Sequence, residues 1–166
     1  MTTASVRKYG DAVDTDIIIP ARYLTSRDPA FLASHCMEGV DPDFPTRIRK
    51  GDVLVAGQNF GCGSSREHAV IALQGAGISC VVAASYARIF YRNAINQGLA
   101  IVICPEAAAH AREGQAIAVD LARGTVAIEG KIFQADPFPP FLQAIIAKGG
   151  IVPFVRDRLR DEQAQR

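Results

Sequence analysis

Three short apolar runs constrain the fold of this 166-residue chain more than any other feature of its sequence. They cover residues 53–56, 78–84 and 99–103, and none of them contains a charged side chain. Runs of this kind are typical of strands that are buried on both faces of a parallel sheet. Residues 64–77 and 87–98 lie between them and have the apolar spacing and the glycine stops of helices. The sequence therefore predicts an α/β fold with a parallel βαβαβ core and right-handed crossovers.

The segments outside this core predict further elements of both kinds. In chain order they are an opening strand at 6–10, a β-hairpin region at 116–119 and 126–128, a helix at 139–148, a last strand at 151–155 and a frayed charged tail at 156–166. A chain of this length can bury one sizeable core. We therefore expect a single domain over 1–166.

A glycine-rich stretch connects the first apolar run to the first predicted helix. It contains Gly61 and Gly63, followed by Ser64-Ser65-Arg66-Glu67, which has the spacing of a capping box with Ser64 as the N-cap. Helix N-termini attract anions, glycines let a ligand approach the backbone, and Arg66 adds a fork suited to carboxylates. We interpret this stretch as a carboxylate-binding site at the carboxyl end of a strand, in preference to a plain capped helix.

The same stretch does not fit three better-known glycine motifs. A P-loop requires a lysine, and none is present here. The dinucleotide fingerprint requires a third glycine where this chain has Arg66. A nucleophile elbow requires a serine between its two glycines, but Cys62 stands between Gly61 and Gly63.

Composition excludes several other classes of protein. The chain has 18 basic and 17 acidic residues, a balance that does not indicate binding to nucleic acid or to a membrane surface. No uninterrupted apolar run approaches the roughly 20 residues that a membrane-spanning helix needs. Four cysteines without a Cys-x-x-Cys pair argue against a metal site on this chain and suit a reduced cytoplasm: Cys36, Cys62, Cys80 and Cys104.

Four stretches match the pattern of one known family: 13–20, 21–24, 59–69 and 87–94. Through them the chain closely resembles the small subunits of 3-isopropylmalate dehydratases, in their compact form, within the aconitase superfamily. The resemblance implies the swivelling β/β/α domain of that superfamily. It also implies isomerisation of 2-isopropylmalate to 3-isopropylmalate, by dehydration and rehydration, in leucine biosynthesis. The implied partner is a large subunit that carries a 4Fe–4S cluster, so we expect this chain to be inactive alone.

The resemblance also implies roles for individual residues. Ser64 matches the catalytic serine, whose alkoxide removes the proton alpha to a carboxylate, and Gly61 and Gly63 form the anion-binding turn before it. The implied substrate-binding residues are Ser65, Arg66, Thr15, Asp16 and, more weakly, Arg27. The implied specificity loop consists of Tyr23, Leu24 and Thr25. His68 is expected to orient the start of the helix.

Several alternatives remain open at this point. Within the superfamily, the chain could serve homoaconitase, 2,3-dimethylmalate dehydratase or a citraconate-type hydratase. A serine hydrolase would need a histidine–acid pair at Ser64, drawn from His35, His68 or His110. A non-catalytic anion-binding module would use the same helix N-terminus without chemistry.

Overall fold

The computed structural model describes residues 4–164, and its centre is one sheet of seven strands. The strands are β1 (Ala4–Lys8), β2 (Val53–Ala56), β3 (Cys80–Ala83), β4 (Ala100–Ile103), β5 (Ala116–Asp120), β6 (Thr125–Ile128) and β7 (Lys131–Gln134). Their spatial order is β4-β3-β2-β1-β5-β6-β7. The helices are α1 (Thr15–Ile18), α2 (Pro29–Ser34), α3 (Phe44–Arg47), α4 (Glu67–Ala76), α5 (Arg88–Gln97), α6 (Pro105–His110), α7 (Pro140–Ala147) and α8 (Ile151–Ala164).

The sheet has a parallel half and an antiparallel half that meet at β1. Strands β1 to β4 are parallel, with Val53 of β2 paired to Val6 of β1 and to Cys80 of β3. On its other edge β1 pairs with β5 in the antiparallel sense, through Ala4 and Ile117. Strands β5, β6 and β7 continue as an antiparallel meander. The predicted parallel βαβαβ core and hairpin region are therefore confirmed, and β1 adds a fourth parallel strand.

Strands β2, β3 and β4 pack on both faces of the sheet, which explains why these three strands are continuously apolar. Leu54, Val81 and Ile101 face one core with the buried sides of α4 and α5. Their strand neighbours, such as Val55 and Val82, face a second core with α6 and the meander. Because successive strand residues point to opposite faces, each of these strands must be apolar throughout.

A buried ion pair connects β1 to the start of β2. Asp52 precedes β2 and is 2% exposed. Its carboxylate accepts hydrogen bonds from Arg7 Nε at 2.7 Å, from the Ser5 N–H at 3.1 Å and from the Arg49 N–H at 3.0 Å. Arg7 also donates to Glu113 at 3.1 Å. A charge can be buried here because its acceptor oxygens are satisfied.

The prediction of a last strand at 151–155 is wrong. This segment starts α8, which runs as a helix through the charged residues as far as Ala164. Val152, Val155 and Leu159 recur at helical spacing, and Lys148 donates to Asp157 at 2.6 Å. A short apolar run does not distinguish a strand from a helix by itself. None of the helices between residues 4 and 164 combines the length and apolarity needed to cross a bilayer.

Candidate active site

The glycine-rich turn leaves the carboxyl end of β2 and brings two exposed serines to the surface. Ser64 and Ser65 are exposed, and α4 begins after them at Glu67, with Arg66 as its N-cap. The predicted capping box is therefore wrong, because the helix starts two residues later than a Ser64 N-cap requires. The side chain of Glu67 instead contacts Arg27 and Gln97.

The segment that contains α1 supports this turn from the interior of the protein. Gly61 donates its N–H to the Val13 carbonyl at 2.7 Å, and Thr15 donates its own N–H to the Cys62 carbonyl at 2.9 Å. The Thr15 hydroxyl donates to the Ser64 carbonyl at 2.9 Å. The turn is therefore shaped by a segment almost 50 residues earlier in the chain, and not by the helix that follows it.

The two glycines of the turn are required for different reasons. Gly61 has a φ of 75°, and a Cβ at this position would lie 2.1 Å from Cγ of Phe90. Gly63 has a φ of 88°, but its nearest neighbours would lie 3.5 Å away. Gly61 therefore permits both a left-handed conformation and close packing on α5, whereas Gly63 is required for conformation alone.

Arg66 is largely buried, and its guanidinium faces a carboxylate of the α1 segment. Its side chain is 12% exposed, and its two Nη atoms contact the two carboxylate oxygens of Asp16, with Nη2 and Oδ2 3.0 Å apart. Nη1 also donates to the Ile19 carbonyl at 3.3 Å. The Arg66 hydrogen bonds hold the pKa of Asp16 below its usual range, so Asp16 is ionised at neutral pH. Any other carboxylate must share this fork with Asp16 or displace it.

Two acidic side chains tie down the loop that connects α1 to α2. Glu38 accepts hydrogen bonds from Arg22, from Tyr23 Oη at 2.9 Å and from His35 Nδ1 at 3.0 Å. The Tyr23 ring stacks on His35 with centroids 3.8 Å apart. At the other end of the loop Arg27 pairs with Glu67 at the start of α4. The loop is therefore held next to the turn that carries Ser64.

The middle of the same loop is less constrained. Leu24 is half-buried and packs against the core, whereas Thr25 is exposed. Among the three residues predicted to set specificity, Thr25 is the one whose side chain faces solvent. The other predicted member, Tyr23, is held by the contacts with Glu38 and His35.

The described residues form neither a cluster of metal ligands nor a hydrolase triad at Ser64. Between residues 4 and 164, no group of three or more His, Cys, Asp or Glu side chains is placed to hold a metal ion. All four cysteines are free, and burial raises the pKa of the Cys80 thiol to about 12. These separated thiols do not fit an iron–sulfur cluster. In the same part of the chain, no hydrogen bond joins the Ser64 hydroxyl to a histidine, and His68 Nε2 is buried without a partner.

The family model of the aconitase C-terminal domain matches residues 11–106, which include α1, the loop after it and the whole glycine-rich turn. The chain belongs to the aconitase C-terminal domain family.

Individual relatives refine the position within the aconitase family. The chain is 53% identical to the 3-isopropylmalate dehydratase small subunit of Ruminiclostridium cellulolyticum, over 93% of this chain and 96% of the relative. It is 54% identical to the 2,3-dimethylmalate dehydratase small subunit of Eubacterium barkeri, over 91% and 94%. The crystal structure of 3-isopropylmalate dehydratase from Methanocaldococcus jannaschii is similar with a TM-score of 0.92 and 43% identity, over 99% and 98%. These comparisons confirm the predicted family, fold class and hydro-lyase type.

Most of the predicted site residues lie on or next to the glycine-rich turn. Ser64, Ser65 and Arg66 lie on the turn, Asp16 contacts Arg66, and Arg27 approaches through Glu67. Thr15 differs, because it is buried beneath the turn. Glu38 and Glu67 were not predicted as anchors of the loop, because an acidic residue in a sequence carries no signal of a partner that is distant along the chain. The chemical roles of all these residues stay predictions.

Proposed function

We propose that this chain is the small subunit of a 3-isopropylmalate dehydratase, which isomerises 2-isopropylmalate to 3-isopropylmalate in leucine biosynthesis. The observation that carries the proposal is the exposed Ser64–Ser65 pair beside Arg66, on a turn inside the matched family segment. The similarity to relatives of that name over more than nine-tenths of the chain supports the same substrate. Free, dispersed cysteines suit a location in the cytoplasm.

In this proposal Ser64 removes the proton alpha to a substrate carboxylate. A serine hydroxyl is a weak base in water, so positive charge must stabilise its alkoxide. The N-terminus of the ten-residue helix α4 supplies such charge two residues beyond Ser65. In the described residues the N–H groups of Ser64 and Ser65 donate to no protein acceptor. They are free to stabilise an oxyanion or a carboxylate.

Ser65 and Arg66 are proposed to bind the substrate carboxylate. Arg66 is presented in a fixed orientation because Asp16 and the Ile19 carbonyl already hold its guanidinium. An ionised Asp16 repels a second carboxylate, so we propose that Asp16 aligns Arg66 and does not itself contact that group. Within the described residues, Arg27 makes no hydrogen bond with Arg66 or Asp16 but pairs with Glu67 at the start of α4. From there it can contact a part of the substrate more distant from Ser64.

Arg66→Lys is expected to raise KM while the chain remains folded. A lysine ammonium lacks the planar fork, so it cannot bind both oxygens of Asp16 and still present further N–H groups to a substrate carboxylate in a fixed direction. We expect the KM of the assembled enzyme to rise about tenfold, equivalent to roughly 1.4 kcal/mol of binding. Steady-state kinetics would measure it, with Arg49→Lys at an exposed, remote position as the matched control. Wild-type kinetics for Arg66→Lys would contradict the assignment.

The proposed partner is a large subunit with a 4Fe–4S cluster. Loss of hydroxide from a 2-hydroxy acid benefits from a Lewis acid, and the cluster supplies that acidity when the partner binds it. The relatives are named as small subunits, which implies a large one. This chain contributes the base, the carboxylate site and the loop around the substrate. We expect no nucleic acid and no membrane among its partners.

Co-expression with a candidate large subunit tests the proposal. The purified complex should isomerise 2-isopropylmalate, and each subunit alone should be inactive. Assays on 2,3-dimethylmalate address the second candidate, which the Eubacterium barkeri relative favours at 54% identity. Citrate and homocitrate complete the series. If the complex prefers one of these other substrates, that substrate replaces 2-isopropylmalate in the proposal. Turnover by the isolated, iron-free chain would contradict the proposal that the Lewis acid comes from the large subunit.

A further inference from the structure

Thr15 is too deeply buried to meet a substrate. The residue is 2% exposed, and its hydroxyl donates to the Ser64 carbonyl at 2.9 Å. Its backbone N–H is occupied as well, by the Cys62 carbonyl. The predicted role of Thr15 in substrate binding is therefore incompatible with its position, although it touches the residue that is proposed to act as the base.

The hydrogen bond to Ser64 determines the direction of the next N–H group. The Ser64–Ser65 peptide is trans, so its C=O and N–H point in opposite directions. Because Thr15 holds the carbonyl toward the interior, the Ser65 N–H must point away from the interior. That N–H has no protein acceptor in the described part of the chain. It is therefore presented at the exposed surface beside the Ser64 side chain.

Thr15 itself is held rigidly enough to fix this direction. It is the first residue of α1, whose N-cap Asp14 accepts the Ile17 N–H at 2.9 Å. The same short helix pairs with the glycine-rich turn at Cys62 and, through Asp16, with Arg66. The support of the turn is thus a capped helical turn and not a mobile loop.

We propose that Thr15 is a positioning residue, which aims the Ser65 N–H at the substrate carboxylate next to the alpha carbon. The inference rests on the proposed function and deepens it. When Ser64 takes the alpha proton, negative charge builds up on that carboxylate, and a fixed N–H donor binds the charged form more tightly than the ground state. Loss of the Thr15 hydroxyl should therefore reduce kcat more than it changes KM.

The test compares four variants in the assembled enzyme. Thr15→Val removes the hydroxyl and keeps the shape, Thr15→Ala removes both, and Thr15→Ser keeps the hydroxyl. Thr46→Val is the control, because Thr46 also donates to a backbone carbonyl at 2.9 Å but lies on α3, outside the proposed site. We expect kcat to fall about tenfold to a hundredfold for Thr15→Val and Thr15→Ala, somewhat less than for direct loss of a donor. Thr15→Ser and Thr46→Val should stay within about threefold of wild type.

The outcomes separate this inference from its alternatives. Wild-type kcat in Thr15→Val would overturn it, as would a rise of KM with unchanged kcat, which would indicate direct contact with substrate. If Thr15→Val proves unstable in thermal unfolding, the Ser and Ala variants decide, because equal losses in both would show a packing role. A wild-type complex inactive on every hydroxy acid would refute the proposed function itself, a result distinct from all of these.

Discussion

Ser64→Ala is expected to abolish turnover by the assembled enzyme while the chain folds and assembles normally. The Ser64 side chain is exposed, and in the described residues its hydroxyl makes no hydrogen bond to the protein. The contact that the structure does use, from Thr15, goes to the backbone carbonyl, which alanine retains. Stability should therefore change by less than about 0.5 kcal/mol, as for other surface substitutions. Since a positioned base contributes about 10²–10⁴-fold, we expect kcat to fall by about the same factor.

Ser65→Ala is the matched control for this variant. Ser65 is the exposed neighbour of Ser64 on the same turn, and it is proposed to bind the carboxylate and not to move the proton. Its loss should raise KM and leave most of kcat. Single-turnover measurements of deuterium exchange at the substrate alpha carbon would report proton removal directly. Retention of more than about a tenth of kcat by Ser64→Ala would exclude Ser64 as the essential base.

Strands β2, β3 and β4 were predictable because their apolar character has a local cause. A strand buried on both faces must be apolar at every position, and this property can be read without knowing which strands are neighbours. The same holds for the helix stops at Gly77 and Gly98, where left-handed φ angles of 104° and 77° favour glycine. The error at 151–155 arose because four apolar residues around one proline fit the spacing of a strand as well as that of a helix.

The geometry of the site was less predictable, because its determinants are distant in sequence. The spacing from Ser64 to Glu67 is that of a capping box. In the structure, however, Thr15 of α1 holds the turn. The Glu67 side chain accepts hydrogen bonds from Arg27 and Gln97 and does not cap the helix. Contacts with residues distant in sequence stabilise this turn more than a local N-cap would, since a cap contributes only about 1 kcal/mol to stability. Residue types thus predicted which side chains gather at the site, but not that Thr15 would support the turn from the interior.

Asp52→Ala is expected to destabilise the chain by about 3–5 kcal/mol, a large share of the stability of a domain of this size. The substitution removes the acceptor for Arg7, Ser5 and Arg49 at once, and it leaves the Arg7 guanidinium buried with Glu113 and the Arg47 carbonyl as its remaining partners. Breaking a buried pair is costly because the remaining charge stays desolvated. Asp43→Ala is the control, since Asp43 is exposed and its side chain does not cap α3.

The same carboxylate should make the wild-type chain sensitive to acid. Burial alone would raise the pKa of Asp52, but the hydrogen bonds from the Arg49 N–H, Arg7 and the Ser5 N–H outweigh burial and hold the pKa below its usual range. A carboxyl group whose pKa is lower in the folded state stabilises the fold above its unfolded pKa of about 3.9. That contribution is lost as the pH falls through the folded pKa. Urea unfolding between about pH 3 and pH 7 should therefore show a fall in the free energy of unfolding at the acid end, less steep in Asp52→Ala than in wild type or Asp43→Ala. Parallel curves for all three proteins would contradict the role of Asp52.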